Sequence, residues 1–326
     1  MRKSLVKKIN AINTGYSFLV SSLTGAPVTS GMPPAVSVEL TNRCNLNCPE
    51  CMTGSGDMSR DSGFMSEDLF GKIINELAPY LYNINLYFQG EPMLHPGFFS
   101  MLKKCRGLNS LVSTNGHFLS AKNSEKLALS GLRMLLVSLD GMDEATYSAY
   151  RVNGSFSEVI KGIRNVTDAV RRNQSELKVV IQFLVNRFNE HQVAEARKFA
   201  REVRADLRLK SMQIISRNGF KKWLPSHKGY SRYDIKCKEY TLKSSLPDRC
   251  ARLWFNPVIT WNGLVLPCCF DKNASHIMGD LNEESFRDIW TGPRFKLFRW
   301  SVLKGRKMNE ICLNCTSGLR GVRGDL

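Results

Sequence analysis

Strand-like and helix-like segments alternate over most of the chain, and this alternation constrains the fold more than any other feature. Six short aliphatic segments, bounded by turn residues, are predicted strands: Val36–Leu40, Asn83–Phe88, Leu108–Thr114, Met134–Leu139, Lys178–Val185 and Leu207–Ile214. Helical patterns lie between them: Ser66–Ala78, Gly97–Cys105, Ala121–Leu129, Asp143–Tyr150 with Phe156–Arg172, and Glu190–Arg204. Six strand–helix units predict an α/β fold, a parallel sheet with helices outside it.

Three cysteines follow the first predicted strand with the spacing C-x3-C-x2-C: Cys44, Cys48 and Cys51. Ligand sites in parallel sheets lie at the carboxyl ends of strands, so this loop is well placed for chemistry. A structural zinc ion normally takes four Cys or His ligands, and the next candidates along the chain are His95 and Cys105. Three thiolates suit a 4Fe-4S cluster with one open iron. A zinc loop or structural thiols are the alternative.

This spacing, together with the strand before it, resembles the radical S-adenosylmethionine (radical SAM) superfamily. The resemblance implies a partial (β/α)6 TIM-like barrel. It also implies a 4Fe-4S cluster on Cys44, Cys48 and Cys51 whose open iron binds S-adenosylmethionine. In that family one electron cleaves the cosubstrate to methionine and a 5'-deoxyadenosyl radical, which abstracts hydrogen from a substrate.

The second predicted strand leads into Gln89-Gly90-Glu91-Pro92, which resembles the family's Gly-Gly-Glu-Pro segment. The resemblance implies that Gly90 and Glu91 hold the amino group of S-adenosylmethionine. Gln89 stands where the family has its first glycine. A carboxylate is a suitable partner for an ammonium group because the hydrogen bond is charge-assisted.

Two later residues match positions that contact the methionine carboxylate in relatives: Ser138 and Arg151. The planar guanidinium of arginine suits a carboxylate, although a surface salt bridge is the alternative for Arg151. Glu50 departs from the pattern, because relatives often have an aromatic residue there that packs on adenine. The adenine contacts are therefore left unassigned.

Residues 1 to about 30 are predicted to form an amphipathic helix and linker. Apolar residues recur at spacings of four and three: Leu5, Ile9, Ile12, Tyr16, Leu19 and Leu23. Basic residues crowd the start of this segment: Arg2, Lys3, Lys7 and Lys8. Two interpretations are open. Either the stripe packs on the main domain, or the helix lies on an anionic membrane surface or partner.

The C-terminal part carries the cysteine pattern C-x12-G-x4-C followed later by C-x2-C, and a turn at Trp261-Asn262-Gly263 predicts a β-hairpin. Four thiolates together can hold zinc or an iron-sulfur cluster. The pattern, with the segments around Gly279 and Trp290, resembles the Twitch form of the SPASM domain. That resemblance implies one auxiliary 4Fe-4S cluster on Cys250, Cys268, Cys312 and Cys315.

The other cysteines have weaker assignments. Cys269 competes with its neighbour Cys268 as a ligand and is the less favoured of the two. Cys105 is interpreted as a buried helical thiol. Cys237 is either a stray thiol or a ligand or acid near the substrate. No signal-peptide pattern follows Met1, so clustered cysteines indicate metal binding rather than disulfides.

Charge bears on the partners. The formal net charge is +17, which favours an anionic partner, although for charge alone a solvated basic surface is the better explanation. Nucleic acid is disfavoured because basic and aromatic residues interleave only around Lys222 and Trp223. No apolar run reaches the roughly 18 residues of a membrane span.

The sequence therefore predicts a cytoplasmic radical SAM enzyme, with peripheral membrane contact through its first helix as an option. The predicted domains are 1–34 (helix and linker), 35–215 (barrel), 216–249 (connector) and 250–326 (auxiliary cluster). Expected partners are a small-molecule, lipid-linked or peptide substrate and a low-potential electron donor such as flavodoxin or ferredoxin. The alternative is a non-enzymatic zinc or iron-sulfur protein that binds an anionic partner.

Overall fold

A computed structural model describes residues 2–216, 218–236, 239–317 and 319. Its α-helices are α1 Arg2–Thr24, α2 Met52–Ser55, α3 Glu67–Leu77, α4 Phe98–Lys104, α5 Ala121–Leu129, α6 Glu144–Tyr150, α7 Phe156–Arg172, α8 Val193–Glu202, α9 Gly219–Trp223, α10 Arg252–Phe255, α11 Phe286–Thr291 and α12 Pro293–Gly305. Its strands are β1 Ala35–Val38, β2 Asn83–Asn85, β3 Asn109–Thr114, β4 Met134–Ser138, β5 Lys178–Val185, β6 Asp206–Ser211, β7 Tyr233–Lys236, β8 Glu239–Leu242, β9 Val258–Ile259, β10 Leu264–Leu266 and β11 Gly279–Asp280.

These elements form two compact units that share the chain in turn. The first contains the described residues of Met1–Arg43, Ser59–Ser110 and Leu246–Gly318. The second contains those of Cys44–Met58, Leu111–Ser245 and Leu319–Leu326. The domain limits expected from the sequence stay a prediction.

The first unit is built around β1. Strand β1 pairs in parallel with β2 on one side and with β9 on the other. Antiparallel pairs then join β9 to β10 and β10 to β11. The β9–β10 hairpin turns at Gly263, whose φ is 94°, and this agrees with the hairpin expected from Asn-Gly. Val36, Ser37 and Val38 are all buried, as expected for a central parallel strand covered on both faces.

The second unit contains a fully parallel sheet, in the order β3, β4, β5 and β6. Helix α7 covers this unit with an apolar face that includes Val159, Ile163 and Val166, all fully buried. The register pairs Thr114 with Val137, so the carboxyl ends of β3 and β4 lie at the same edge. Parallel strands with outer helices confirm the predicted α/β class.

Two predicted strands end three residues earlier than expected. Strand β2 ends at Asn85 rather than Phe88, and the chain then bends to Gly90, where φ is 73°. Strand β6 ends at Ser211 rather than Ile214. The backbone N–H of Ile214 donates to the hydroxyl of Tyr233 at 3.0 Å instead of to a strand. The strand pairing is therefore ended by a bend at Gly90 in one place and by a hydrogen bond to the Tyr233 side chain in the other.

Helix α1 is held to the first unit by its polar face. Asn10 exchanges two hydrogen bonds with the backbone of Met32, at 2.9 and 2.8 Å. The hydroxyl of Thr14 also donates to the Met32 carbonyl, at 2.8 Å. One turn on, Ser17 accepts from the backbone N–H of Ser30 at 2.9 Å. These hydrogen bonds tie α1 to the extended segment 28–32, and the side chains of Asn10, Thr14 and Ser17 are buried.

The apolar stripe of α1 lies on the opposite side and faces away from the first unit. Its members are all exposed by half or more: Leu5, Ile9, Ile12, Tyr16, Leu19 and Leu23. The interpretation that this stripe packs on the main domain is therefore wrong. The physical reason is that the opposite side of the helix docks it, through buried hydrogen bonds and through Phe18, whose ring packs against Trp254 and Phe255. Among the described residues, no helix is long and apolar enough to cross a membrane.

Candidate active site

The three cysteines of the C-x3-C-x2-C loop belong to the second unit, where all three pack against one buried apolar cluster that contains Leu46, Cys48 and Tyr150. Cys48 is buried, whereas Cys44 and Cys51 are partly exposed. The turn between the last two is tight, since the N–H of Cys51 donates to the carbonyl of Cys48 at 3.2 Å. The structure thus brings the three predicted ligands to the same apolar cluster, with Cys48 inside it and Cys44 and Cys51 packed against it.

Arg151 lies beside this loop and bonds to a buried carboxylate. Its Nε and Nη2 atoms lie 2.6 and 2.5 Å from Oδ2 of Asp140, whose side chain is fully buried. Its Nη1 atom donates to the sulfur of Cys48 at 3.7 Å. Hydrogens on the terminal nitrogens remain for a further acceptor, because a guanidinium has five N–H donors. The surface salt bridge considered from the sequence is instead a buried pair at the cysteine loop.

Asp140 holds this arrangement to the sheet. Its Oδ1 atom accepts a 2.7 Å hydrogen bond from the backbone N–H of Leu184 in β5. One carboxylate oxygen therefore accepts a hydrogen bond from the backbone, and the other accepts from Arg151. Asp140 follows β4 by two residues, and no role for it was predicted from the sequence. The available signal was an acid directly after the predicted strand Met134–Leu139.

The pKa values of Cys48 and Arg151 are each shifted in opposite directions by burial and by nearby charges. Burial raises the pKa of the Cys48 thiol, and the Arg151 guanidinium offsets part of that rise. Burial also lowers the pKa of Arg151, but Asp140 and Cys48 outweigh it and hold that pKa well above its ordinary value. A permanently charged arginine beside the loop favours the thiolate form that iron requires.

Asn115, one residue beyond β3, contacts the first cysteine. Its Nδ2 atom donates to Oδ1 of Asn45 at 2.7 Å and lies 3.9 Å from the sulfur of Cys44. His117 lies 3.1 Å from Oδ1 of Asn115 through Nδ1, and its Nε2 accepts from the backbone N–H of Ser155 at 2.9 Å. The acceptor role of Nε2 places the proton on Nδ1, so His117 donates to Asn115. No role for His117 was predicted from the sequence.

Ser138 is the last residue of β4 and is buried. Because Thr114 pairs with Val137, Ser138 and Asn115 both follow that pair at the same edge of the sheet. The contact of Ser138 with the methionine carboxylate of S-adenosylmethionine stays a prediction.

Glu50 has a structural task that the sequence did not reveal. Its buried carboxylate accepts hydrogen bonds from the backbone N–H groups of Ile215 and Ser216, at 2.6 and 3.1 Å. The hydroxyl of Ser216 donates to it as well, at 2.7 Å. Glu50 therefore fixes the segment after β6 to the cysteine loop, and this explains why a carboxylate stands at a position that is often aromatic in the family.

In the first unit, Gly90 and Glu91 are fixed to the residue that precedes Cys44. The N–H of Glu91 donates to the carbonyl of Arg43 at 2.8 Å. A Cβ on Gly90 would lie 2.6 Å from that carbonyl oxygen, so only glycine fits this close approach at positive φ. The Glu91 side chain is buried and its Oε1 caps the N–H of Met93 at 3.0 Å.

A second group of thiols lies in the first unit. The four predicted ligands are all buried: Cys250, Cys268, Cys312 and Cys315. They are close enough to influence one another, because the charge of Cys250 raises the pKa of each of the other three. Burial is the larger cause in each case and raises the pKa of Cys315 to about 11. Cys269 belongs to the same group and is partly exposed.

Two arginines contact these thiols. Arg306 donates from Nη2 to the sulfur of Cys315 at 3.1 Å, and Arg252 donates from Nη1 to the sulfur of Cys269 at 3.6 Å. The charge of Cys269 is the main cause of the raised pKa of Arg252. Neither arginine was predicted from the sequence, since nothing in the cysteine pattern points to them.

Both thiol groups fit iron-sulfur clusters by their chemistry. A cluster bound by thiolates carries negative charge, and guanidinium groups at 3.1–3.7 Å from the sulfurs offset that charge. Within the described ranges, no three His, Cys, Asp or Glu side chains lie close enough to hold a single metal ion.

Cys105 behaves as predicted for a structural thiol. It is buried at the end of α4, its sulfur lies 3.6 Å from the carbonyl of Met101, and burial raises its pKa to about 12. Cys237, by contrast, lies outside the described residues.

Comparison with known families identifies the chain. A family model of the radical SAM superfamily matches residues 38–200, half of the chain, and one described as an iron-sulfur cluster-binding domain (SPASM) matches residues 250–316. The chain therefore belongs to the radical SAM superfamily and carries a SPASM domain at its C-terminal end. Its cofactors are S-adenosylmethionine and 4Fe-4S clusters in both parts, as the sequence predicted.

Two of the curated relatives are similar to this chain over most of their length, and others over about half of it or less. The chain is 26% identical to the tungsten-containing aldehyde ferredoxin oxidoreductase cofactor-modifying protein of Pyrococcus furiosus, covering 86% of each chain. It is 24% identical to the AdoMet-dependent heme synthase of Methanosarcina barkeri, covering 90% of this chain and 94% of that one. A third relative, the mycofactocin maturase MftC of Mycobacterium tuberculosis, is 29% identical over 60% of this chain and 48% of its own length.

Solved structures share the fold. SuiB of Streptococcus suis bound to S-adenosylmethionine has a TM-score of 0.65 at 14% identity, covering 94% of this chain and 77% of that one. BtrN in complex with AdoMet and 2-DOIA has a TM-score of 0.57 at 19% identity, covering 88% and 94%. The predicted fold class, an α/β TIM-like barrel of the radical SAM type, is confirmed.

Proposed function

We propose that this protein cleaves S-adenosylmethionine reductively and uses the resulting radical to abstract hydrogen from a substrate carbon. The observation that carries the proposal is the packing of Cys44, Cys48 and Cys51 against one cluster, with Arg151 bonded to Cys48 and to Asp140. A 4Fe-4S cluster held by these three cysteines, when bound, would supply the electron that breaks the sulfonium bond to give methionine and the 5'-deoxyadenosyl radical.

The chain's own residues bind and orient the cosubstrate. We assign Gly90 and Glu91 to its amino group, because Glu91 is a buried carboxylate whose backbone is fixed to Arg43, the residue before Cys44. Ser138 and the free N–H groups of Arg151 are assigned to its carboxylate. Asp140 keeps Arg151 in place and keeps its charge from repelling the ammonium group.

For the second thiol group we propose Cys250, Cys268, Cys312 and Cys315 as ligands of one auxiliary 4Fe-4S cluster. Arg252 and Arg306 then balance its charge. The net reaction is an oxidation or a bond-forming modification of the substrate that this cluster assists, either by taking up the substrate electron or by positioning the substrate.

The substrate is a small molecule, a lipid-linked molecule or a peptide. Relatives are named as a cofactor-modifying protein, a heme synthase and a mycofactocin maturase, and a common fold does not choose among such substrates. A low-potential donor such as flavodoxin or ferredoxin supplies the electron.

We place the protein in the cytoplasm, in peripheral contact with a membrane through α1. A non-enzymatic metal protein is not favoured, because these relatives are named for synthesis, maturation or modification.

The test is 5'-deoxyadenosine formation. Anaerobically reconstituted protein with a strong reductant should form 5'-deoxyadenosine and methionine from S-adenosylmethionine, slowly even without a substrate. Protein that takes up iron at both sites, binds the cosubstrate and yet forms neither product would contradict the proposal.

Glu91→Gln is expected to weaken S-adenosylmethionine binding about ten- to a hundredfold, because a hydrogen bond to a charged group contributes about 1.5–3 kcal/mol. Glutamine keeps the Oε1 acceptor that caps Met93, so the local turn and the iron content should be unchanged. Equilibrium binding of the cosubstrate to reconstituted protein measures the effect. Glu67→Gln, a change at an exposed salt-bridge residue, is the matched control, and equal affinities for both variants would overturn the assignment of Glu91.

Adjacent cysteines offer a second test. Cys268→Ser should lose about half of the bound iron, because Cys268 is a buried member of the proposed ligand set. Cys269→Ser should keep both clusters, since Cys269 is partly exposed and bonds to Arg252. Iron and sulfide analysis with electron paramagnetic resonance distinguishes the two variants. The opposite result would make Cys269 the ligand.

A further inference from the structure

Helix α1 presents an apolar surface to solvent. We call it the α1 apolar face, and its members are exposed by 50–76%: Leu5, Ile9, Ile12, Tyr16, Leu19 and Leu23. Soluble proteins rarely leave a contiguous stripe of this kind uncovered, and such patches mark protein or membrane contacts. The stripe runs along a helix of 23 residues, about 34 Å at 1.5 Å per residue.

The exposure of this face is built into the way α1 is docked. Asn10, Thr14 and Ser17 point to the other side of the helix and bond to the segment 28–32. A Cβ on Gly31 would lie 2.4 Å from Oγ1 of Thr14, so the segment and the helix approach each other as closely as glycine allows. Turning the apolar face inward would leave these buried polar groups without partners, which is costly.

A second helix of the same unit has a similar outer face. On α12, Leu297 is 65% exposed and Trp300 is 43% exposed, and their spacing of three places them on one side of the helix. Lys304 lies on that side one turn further on. Its Nζ atom is 3.7 Å from where a Cβ on Gly25 would be, directly after the end of α1. The outer face of α12 therefore reaches the end of α1.

Both helices are basic and lack acids. No Asp or Glu occurs before Glu39, whereas four basic residues lie in the first eight positions. Helix α12 also contains no acid, and its basic residues Arg294, Lys296 and Lys304 are exposed. Apolar residues flanked by cations, with a tryptophan among them, suit the boundary of an anionic bilayer, where the cations meet lipid phosphates and the apolar side chains enter the acyl region.

We propose that α1 and α12 together form the surface by which this protein binds an anionic lipid bilayer. The proposal builds on the contact of α1 with an anionic membrane considered above and adds the second helix, α12. A second copy of the chain is a poorer occupant, because two faces of the same positive charge repel each other. Binding should be reversible and should weaken as salt screens the lipid charge.

Vesicle co-sedimentation tests the proposal on the full-length, cluster-loaded protein. Wild type should bind phosphatidylglycerol-containing vesicles and bind pure phosphatidylcholine at least about tenfold more weakly. Ile12→Glu with Leu19→Glu should lower binding at least about tenfold, and Leu297→Glu with Trp300→Glu should lower it severalfold. All four side chains are exposed, so these changes should leave iron content unchanged. Leu129→Glu, at an equally exposed leucine of α5, is the matched control and should bind as wild type does.

Three results would overturn the proposal. One is unchanged binding by either double variant, the one on α1 or the one on α12. Another is loss of binding by Leu129→Glu to the same extent. The third is a wild-type dimer in solution that the α1 variant converts to monomer, since the face would then join two copies. Formation of 5'-deoxyadenosine is measured separately and should not change in the α1 variant. Vesicle binding without that activity would reject the proposed function while leaving the membrane surface supported.

Discussion

Joint replacement of Cys44, Cys48 and Cys51 by alanine is expected to abolish 5'-deoxyadenosine formation and to remove about four of roughly eight bound irons. The three side chains belong to or pack against one buried cluster of apolar side chains, and Arg151 donates a hydrogen bond to the sulfur of Cys48. No other thiol among the described residues packs there, so nothing replaces the lost ligands. Iron analysis and product chromatography under anaerobic conditions measure both effects.

The control for this variant is Cys105→Ala. Cys105 is buried in the first unit at the end of α4, and its pKa of about 12 marks an inert thiol. Its replacement should keep all the iron and the full rate of product formation. Retention of product formation by the triple variant would rule out the assignment of the C-x3-C-x2-C loop.

Asp140→Ala is expected to lower the free energy of unfolding by about 3–5 kcal/mol, the usual cost of breaking a buried ion pair from one side. Asp140 is fully buried and bonds both to Arg151 and to the backbone of Leu184. Without it, the charge of Arg151 has no carboxylate to face and an N–H group of β5 loses its partner. Urea unfolding of cluster-loaded protein, followed anaerobically by fluorescence, measures the change.

An exposed ion pair of the same type provides the control. Asp168 bonds to Arg171 on α7, and the two side chains are 49% and 62% exposed. Asp168→Ala should therefore cost less than about 1 kcal/mol. The double variant Asp140→Ala with Arg151→Ala should be less destabilised than the sum of the single variants, because the uncompensated charge is gone. Full additivity would mean that the two side chains do not act as a pair.

Local sequence patterns determined much of the architecture. Alternating apolar segments set the parallel strands and their helices, because period and turn residues act over a few neighbours. The C-x3-C-x2-C spacing indicated the first thiol group, since ligands on one short loop converge wherever that loop lies. The second group, from Cys250 to Cys315, was indicated by its resemblance to the Twitch form of the SPASM domain. The Asn-Gly turn likewise predicted the hairpin of β9 and β10.

Contacts between distant residues were decided only by the tertiary structure. Arg151 meets Asp140 and Cys48, and Arg306 meets Cys315, through side chains whose positions no local pattern encodes. Glu50 looked like a missing aromatic contact until its carboxylate was seen to bind the backbone at Ile215 and Ser216.

Helix α1 shows most clearly where the sequence stops being informative. Its periodicity identified the apolar stripe correctly, but a stripe has the same period whether it faces a core or a solvent boundary. The direction in which the stripe faces was set by the opposite face of the helix. There Asn10, Thr14 and Ser17 form hydrogen bonds with the backbone of Met32 and Ser30. Those hydrogen bonds are buried, and on the same unit Phe18 packs against Trp254 and Phe255. The helix is therefore docked by this side and leaves the α1 apolar face outside.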